Sequence, residues 1–541
     1  MEMMILSSLE KVFSDEKPTA KEFGGFSMLK NERSSFQAAF SCEKDTKLNV
    51  ALEGELAQYA SLYLVKDVPV GTACHDDADD FFLRKTSGMY PDVLVPVEGE
   101  ITVEGGKWYS LWVELSPEEQ FVGKSELKIV LSENGNAVAH GSISVEVIDC
   151  CLDKQTLIHT CWYHADCLCN YYGVEPMSDE FWRINKNFIS TAVNHGINCI
   201  LTPVFTPPLD TKIGGERRTV QLVGVKMRGK SYSFDFRNLK KWVDMCNECG
   251  VEYFEISHLF TQWGAKHAPK IVATDRKGRE KKIFGWHTRT SSKKYDDFLR
   301  AFGKALMAFI EENGIKERCL FHISDEPSKS QLKTYKKRAK LISEIFGEMK
   351  VIDALSDFEF YETGAVKNPV PCEDDIEDFV GKVPWLWTYY CCGQYKNYLP
   401  NRFMAMPSQR NRILGTLLYK YDVKGFLQWG YNFYNQQYSV KAIDPYEITD
   451  AGGSFPSGDS FVVYPSCKGE ALVSLRLKVF YDGFQDMMAL KTLENKAGRE
   501  KVLEFLEKEA VKPLSFTEYP HEAEWILGMR EKINAMIKEN N

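Results

Sequence analysis

From residue 157 onward, short apolar runs alternate with longer amphipathic segments, and this change of period constrains the fold more than any other feature of the chain. A run of roughly 4–8 apolar residues bounded by turn residues reads as a buried strand, while apolar positions three and four apart read as a helix laid against it. Eight such runs can be counted, at residues 157–163, 197–203, 251–259, 319–324, 350–355, 384–390, 425–431 and 460–464. Helical patterns lie between them at 179–195, 238–249, 295–313, 331–346 and 408–421. Strand and helix in alternation build a parallel sheet, and eight units predict a (β/α)8, TIM-like barrel over residues 151–541, with further helices at its C-terminal end. Long insertions at 206–234 and 260–292 follow the second and third strands. They are expected over the C-terminal mouth, where barrel enzymes keep their ligand.

Before residue 150 the period is two instead. Trp108-Tyr-Ser-Leu-Trp-Val-Glu-Leu115 can turn every second residue to a core. Glu126 to Leu131 and Ser142 to Ile148 flank an Asn134-Gly135 pair that tolerates positive φ, which reads as a hairpin. This density of strands predicts an antiparallel β-sandwich over residues 1–150, giving an all-β N-terminal domain ahead of an α/β barrel. No cluster of titratable groups in it suggests chemistry, so a supporting role is expected. A chain of 541 residues exceeds the size at which single cores stop growing, so two domains, or one large barrel with an appendage, are expected.

The net charge of −9 comes from acids and bases mixed along the chain, so nucleic acid is not an expected partner. No apolar run approaches the roughly 20 residues of a membrane-spanning helix, and residues 1–11 lack the basic start and apolar core of an export signal. Fifteen cysteines, many inside strand-like runs, fit reduced thiols, and a cytoplasmic protein is expected. Cys161, His164, Cys167 and Cys169 have short metal-ligand spacing, but a second pair at finger spacing is missing, and no metal site is expected. There is no Gly-rich phosphate loop and no Gly-x-Ser-x-Gly elbow, so neither a nucleotide cofactor nor serine hydrolysis is expected.

Chemistry is expected at residues 318–327, Arg-Cys-Leu-Phe-His-Ile-Ser-Asp-Glu-Pro. The fourth strand stops at Asp325 and Glu326, and Pro327 keeps it from continuing in a sheet. Two acids therefore arrive at the ligand end of a barrel strand. Residues at or beyond the other strand ends are polar and aromatic: His164 and Asp166, His258 and Trp263, Trp387, Tyr389 and Tyr390, Trp429, Tyr431 and Asn432. Flat aromatic faces stack on a pyranose ring while amides, carboxylates and hydroxyls satisfy its hydroxyl groups, so a small carbohydrate is the expected partner. Alternation along a barrel strand commits about half of such aromatics to packing. The competing reading of Asp325 and Glu326 is a cap on the helix that follows, since acids favour a first helical turn.

The motif His322-Ile-Ser-Asp-Glu-Pro327 on a fourth barrel strand, after a β-rich domain, resembles glycoside hydrolase family 123, a family of β-N-acetylgalactosaminidases. The resemblance extends to Val12-Phe-Ser-Asp-Glu-Lys-Pro18, Trp429-Gly-Tyr-Asn432, residues 455–465, and Ser474-Leu-Arg-Leu-Lys-Val-Phe-Tyr-Asp-Gly483 followed by Gln485-Asp486. It departs at Tyr481, where an Arg is expected, and at Lys478, where an acid is expected. What the resemblance implies is exo-acting removal of terminal β-linked N-acetylgalactosamine from glycans or glycolipid oligosaccharides. The mechanism would be retaining, with the substrate's own 2-acetamido oxygen attacking the anomeric carbon to give an oxazolinium ion. Glu326 would be the general acid and then the base, and Asp325 would accept the acetamido N–H. The residues themselves agree with that division: neighbouring strand side chains diverge, so an adjacent pair cannot easily straddle a sugar ring as conventional retaining carboxylates do. Like charge and an apolar wall raise the pKa of one carboxyl, as a general acid requires, and Glu326 is expected to carry that proton. A hexosaminidase of broader specificity that also takes N-acetylglucosamine, and a carbohydrate-binding protein without turnover, remain alternatives.

Overall fold

In the computed structural model, which describes residues 1–118 and 120–541, the N-terminal alternation folds into two five-stranded sheets. Phe36, Leu111 and Val113 from one sheet and Leu127, Ile129 and Val145 from the other fill a shared core, which makes the pair a sandwich. The expected hairpin joins strands Gly123–Glu133 and Asn136–Cys151. Its two turn residues, Asn134 and Gly135, have φ of 49° and 81°, the left-handed pair that a two-residue hairpin turn needs.

Eight parallel strands form the barrel: Ile158–Cys161, Cys199–Thr202, Tyr253–Ile256, Cys319–Phe321, Lys350–Ala354, Asn368–Val370, Trp387–Tyr389 and Gly425–Gln428. Each pairs with its sequence neighbours and the first pairs with the eighth. Between the sixth and seventh the ladder narrows to a single parallel bridge, Cys372 with Tyr389. The expected helices lie between strands, as Asp179–Val193, Arg237–Glu248, Lys293–Glu312 and Leu332–Phe346; the fifth pattern forms two short helices, Ser408–Arg412 and Leu414–Lys420.

The strand count is right in number and wrong in one member. Asn368–Val370, not 460–464, belongs to the barrel; the latter run instead feeds a two-stranded antiparallel ribbon, Val463–Pro465 with Ala471–Val473. The true sixth strand is three residues long and centred on Pro369, which cannot donate to a ladder and so reads as a strand breaker. The two insertions do not stay irregular. Gly224–Arg228 and Ser231–Asp235 from the first join Ile271–Thr274 and Glu280–Phe284 from the second in a four-stranded sheet.

The helix Leu475–Ala497 is buried along most of its length and joins sandwich to barrel through charged pairs. Arg476 forks onto Asp92 at 2.8 and 2.9 Å. Arg530, from the last helix, bridges Glu32 of the sandwich at 2.6 Å and Asp486 at 2.9 Å. Lys478 and Tyr481, the two departures from the family pattern, belong to this joint. Lys478 pairs with Glu114 at 2.7 Å, and Tyr481 packs its edge against His195 at 6.0 Å. Removing one partner of such a pair leaves the other charge buried and alone, so Arg476→Met is expected to cost about 3–5 kcal/mol. Thermal melting checks this; an unchanged midpoint would mean the Asp92 pair contributes little. Among the described residues no helix is long and apolar enough to cross a membrane.

Candidate active site

The fourth strand leaves its ladder early, and a side chain from the fifth strand takes over its hydrogen bonding. Regular pairing ends at Phe321, after which the Asp353 carboxylate accepts the N–H groups of Ile323 at 2.9 Å and Ser324 at 3.2 Å. The Glu326 N–H then donates to the Ala354 carbonyl at 2.9 Å, and the Asp325 carbonyl accepts from Trp263 N–H at 3.0 Å. The two acids are thereby fixed from the fifth strand and from the insertion after the third. They do not cap the next helix: there the Ser328 N–H donates to Gln331 Oε1 at 3.0 Å, within the capping segment.

Asp325 and Glu326 face one pocket of about 720 Å³, counting its open side. Trp162, Trp263, Tyr389, Trp429, Tyr438 and Phe455 supply its aromatic surface, with Leu427 and Ala354 beneath. The carboxylates differ in depth. Asp325 is 6% exposed and accepts from Gln262 Nε2 at 2.7 Å. Glu326 is exposed at the mouth, and its Oε1 accepts from the Tyr389 hydroxyl at 2.7 Å. A third carboxylate, Asp210, lines the rim and accepts the Tyr438 N–H at 2.8 Å. Asp210, Trp263, Glu326 and Tyr438 all have left-handed backbones, with φ of 38°, 55°, 42° and 59°. Such conformations cost of order 1–3 kcal/mol each for residues with a side chain, and concentrate where geometry must be held for function.

Burial pushes the Asp325 carboxyl up to about 8, with the neighbouring Glu326 charge adding to the effect and Gln262 opposing it. The sequence reading expected the raised carboxyl to be Glu326; the structure gives the apolar wall to Asp325 instead. Burial likewise pushes Asp210 up to about 6, against its bond from Tyr438 N–H. Beneath the pair, His322 lies between Glu255, hydrogen-bonded to Nε2, and Asp353 at 3.3 Å from Nδ1. Burial works to lower its pKa, but the two carboxylates outweigh it and hold the imidazolium up to about 9. Glu255 also accepts from Trp162 Nε1 at 2.7 Å, so the charged floor orients an aromatic wall. On the far side Trp429 Nε1 donates to Asp459 at 3.0 Å.

The sequence match is what assigns the family. The family model "Glycoside hydrolase 123, catalytic domain" matches residues 162–493, well over half of the chain. The chain belongs to glycoside hydrolase family 123. The fold agrees over its whole length with a family 123 glycoside hydrolase from Clostridium perfringens, described for glycolipid glycan hydrolysis. The TM-score is 0.73 at 14% identity, covering 99% of this chain and 97% of that one. A putative glycoside hydrolase from Bacteroides vulgatus is more distant, with a TM-score of 0.33 at 12% identity over 87% of this chain and 78% of that one. A search of curated proteins gives no match.

Within this family 123 pocket the structure brings together Asp325, Glu326, Tyr389 and Trp429 from the residues singled out in sequence, with Trp263 beside them. Seven others lie outside its lining. His164 and Asp166 hold Arg217, at 3.0 Å and 2.6 Å, and Asn432 Oδ1 accepts the His164 N–H at 2.8 Å, so these three fasten loops. His258 stacks on His322 at 4.1 Å below the pocket. Trp387 covers Gly425, where a Cβ would meet its ring at 2.0 Å. Tyr390 packs on Phe426 at 5.0 Å, and the Tyr431 hydroxyl donates to the Phe188 carbonyl at 2.8 Å. Sequence reading missed Trp162, Asp210, Gln262, Tyr438 and Phe455. Asp210 and Gln262 lie in the two insertions and Phe455 opens a motif already noted, but loops carry no period to say which side chain turns inward.

Of the four residues with metal-ligand spacing on the first strand and its loop, three have other side-chain partners. Cys161 and Cys167 lie against Arg402 and Arg217, at 3.7 and 3.9 Å, and His164 Nε2 meets the Trp429 carbonyl at 2.9 Å. Burial, followed by the charge of Asp166, pushes the Cys167 thiol well above its usual range. Among the described residues, Cys372, Asp374 and Asp375 come close enough together to share an ion. Cys372 Sγ, however, already meets Ser356 Oγ at 2.8 Å, and Asp374 accepts from Gln394 at 3.1 Å.

Proposed function

We propose that this protein is an exo-acting, retaining β-N-acetylgalactosaminidase that releases terminal sugar from glycans or glycolipid oligosaccharides through the substrate's own acetamido group. The observation that carries the reading is the unequal depth of an adjacent carboxylate pair in one aromatic-walled pocket, Asp325 buried on Gln262 and Glu326 open to solvent on Tyr389. A buried acceptor suits an amide N–H that must be held still. An open acid suits the glycosidic oxygen, the leaving alcohol and the incoming water.

Burial and the Glu326 charge keep a proton on Asp325 near neutral pH in the empty pocket. The ionised Asp325 carboxylate is the stronger acceptor for an acetamido N–H, so substrate binding favours release of its proton, and the mechanism uses a proton on Glu326, where the leaving oxygen takes it. The acetamido oxygen attacks C1 as Glu326 protonates the leaving group. Asp325 stabilises the positive charge that develops on the amide, and Glu326 then deprotonates the water that opens the oxazolinium ion.

Asp210 supports a second reading, because it is the further carboxylate that a conventional double displacement would require. Its bond from the Tyr438 N–H ties it to the rim and favours a role in accepting sugar hydroxyls. A thiazoline analogue of N-acetylgalactosamine separates the two. Under neighbouring-group participation it should bind at least ~10²-fold more tightly than the free sugar, as a mimic of the bound intermediate. No inhibition, together with a covalent fluorosugar adduct on Asp210, would replace this mechanism with double displacement. Chromogenic β-GalNAc and β-GlcNAc substrates test specificity; binding of both free sugars without hydrolysis of either would leave a carbohydrate-binding protein.

A further inference from the structure

Two cysteines adjacent in sequence, Cys391 and Cys392, line the pocket that holds Glu326, and both are partly exposed. The turn that presents them is braced from behind. The Cys391 N–H donates to Gln394 Oε1 at 2.9 Å, and Asn401 Nδ2 donates to the Cys391 carbonyl at 2.8 Å, with Gln394 and Asn401 both buried. The chain contains a second adjacent pair, Cys150 and Cys151, but it ends the strand Asn136–Cys151, where neighbouring side chains point to opposite faces. Of the two pairs, the one at 391–392 lies with both members in the wall of one pocket.

We propose that Cys391 and Cys392 are a dithiol modification site in the sugar pocket, oxidised reversibly by hydrogen peroxide to a vicinal disulfide that slows hydrolysis. The neighbouring Cys392 thiol, burial and the Glu326 charge hold the Cys391 thiol well above the ordinary thiol range. Cys392 is therefore the sulfur that reacts first. It attacks one peroxide oxygen, the O–O bond breaks, and water leaves, giving a sulfenic acid. Cys391 sulfur then attacks that sulfur, the S–O bond breaks, and a second water leaves. Two thiols lose two electrons and two protons, and one peroxide becomes two waters.

The consequence follows from backbone geometry. Adjacent Cα atoms are about 3.8 Å apart, whereas disulfide-linked Cα atoms prefer roughly 4.4–6.8 Å. Closing the ring must shift the backbone at 391–392, two residues past Tyr389, whose hydroxyl holds Glu326. The same strain makes the bond easy to reduce, as a reversible modification requires. The effect on turnover rests on the proposed glycosidase activity; the chemistry of the site does not.

The test treats the full-length protein with hydrogen peroxide, blocks remaining thiols, and reads peptide masses and hydrolysis of a chromogenic β-GalNAc substrate. Expected is an unblocked peptide carrying both cysteines, two mass units lighter than its dithiol form, with the rate down about tenfold and restored by dithiothreitol. The treated-to-untreated ratio should stay near one for Cys392→Ser and for Cys391→Ser, each normalised to its own untreated rate. The proposal is overturned if both thiols remain blockable after exposed Cys151 and Cys467 have oxidised, if the disulfide forms without loss of rate, or if both serine variants lose activity as the wild type does. Should no substrate be turned over, masses still decide the site, and quenching of tryptophan fluorescence by N-acetylgalactosamine replaces the rate.

Discussion

Asp325→Asn is expected to slow hydrolysis about 10²–10³-fold, the usual cost of removing one preorganised group from a developing charge, and at pH 8 to make the protein harder to unfold. The two effects have one cause. Burial raises the Asp325 carboxyl in the folded chain to about 8, whereas in the unfolded chain it titrates near about 3.9. Between those values the folded state holds a proton that the unfolded state has released, so stability falls as pH rises from about 4 to about 8 and is level above. At 1.36 kcal/mol per unit the loss reaches about 6 kcal/mol, an upper figure because solvent at the mouth screens the Glu326 charge that helps raise the carboxyl. Asparagine has nothing to ionise and can still accept from Gln262. Melting curves of wild type and variant should therefore coincide near pH 4 and separate steadily to pH 8. Parallel curves across that range would mean that Asp325 is not the group whose ionisation the fold resists.

Why the chain discloses its reaction class so readily, and its pocket so poorly, can be argued from a few residues. Asp325 and Glu326 are legible because an apolar strand delivers them and Pro327 stops it, a local signal that needs no knowledge of neighbours. The unequal burial of the pair is not local. It depends on Asp353 drawing the strand tail off its ladder and on Gln262 and Trp263 arriving from an insertion more than 60 residues earlier. The aromatic count around the mouth was informative, but face was not: Tyr389 meets Glu326, while Tyr390, its neighbour, turns to Phe426 in the barrel packing. Polar residues misled in the same way. His164, Asp166 and Asn432 stand just beyond strand ends, as ligand-binding residues would, yet they fasten Arg217 and the adjoining loops. Barrel number was recoverable because seven strands are apolar and well spaced; the sixth, centred on Pro369, is recognisable only once its neighbours are in place.

Glu326→Gln is expected to produce the largest loss, and the loss should depend on the leaving group. General acid catalysis contributes about 10²–10⁴-fold where a poor leaving alcohol must be protonated. A sugar or alkyl aglycone needs that proton, so its β-GalNAc glycosides should fall by the full amount. A dinitrophenolate leaves without it, and the corresponding glycoside should form the oxazolinium ion at a rate close to wild type, then wait for a base to activate water. Added azide needs no base and should restore turnover on the dinitrophenyl substrate only. The pH profile gives an independent sign. The proposed mechanism needs one proton on the carboxylate pair, so wild-type activity should fall on the alkaline side as pH passes the Asp325 value of about 8. With glutamine in place the fast substrate has no acid to lose, and its alkaline limb should vanish. Equal losses on alkyl and dinitrophenyl substrates would count against Glu326 as the proton donor, and, with Asp210 the remaining carboxylate of the pocket, would move the search for the acid there.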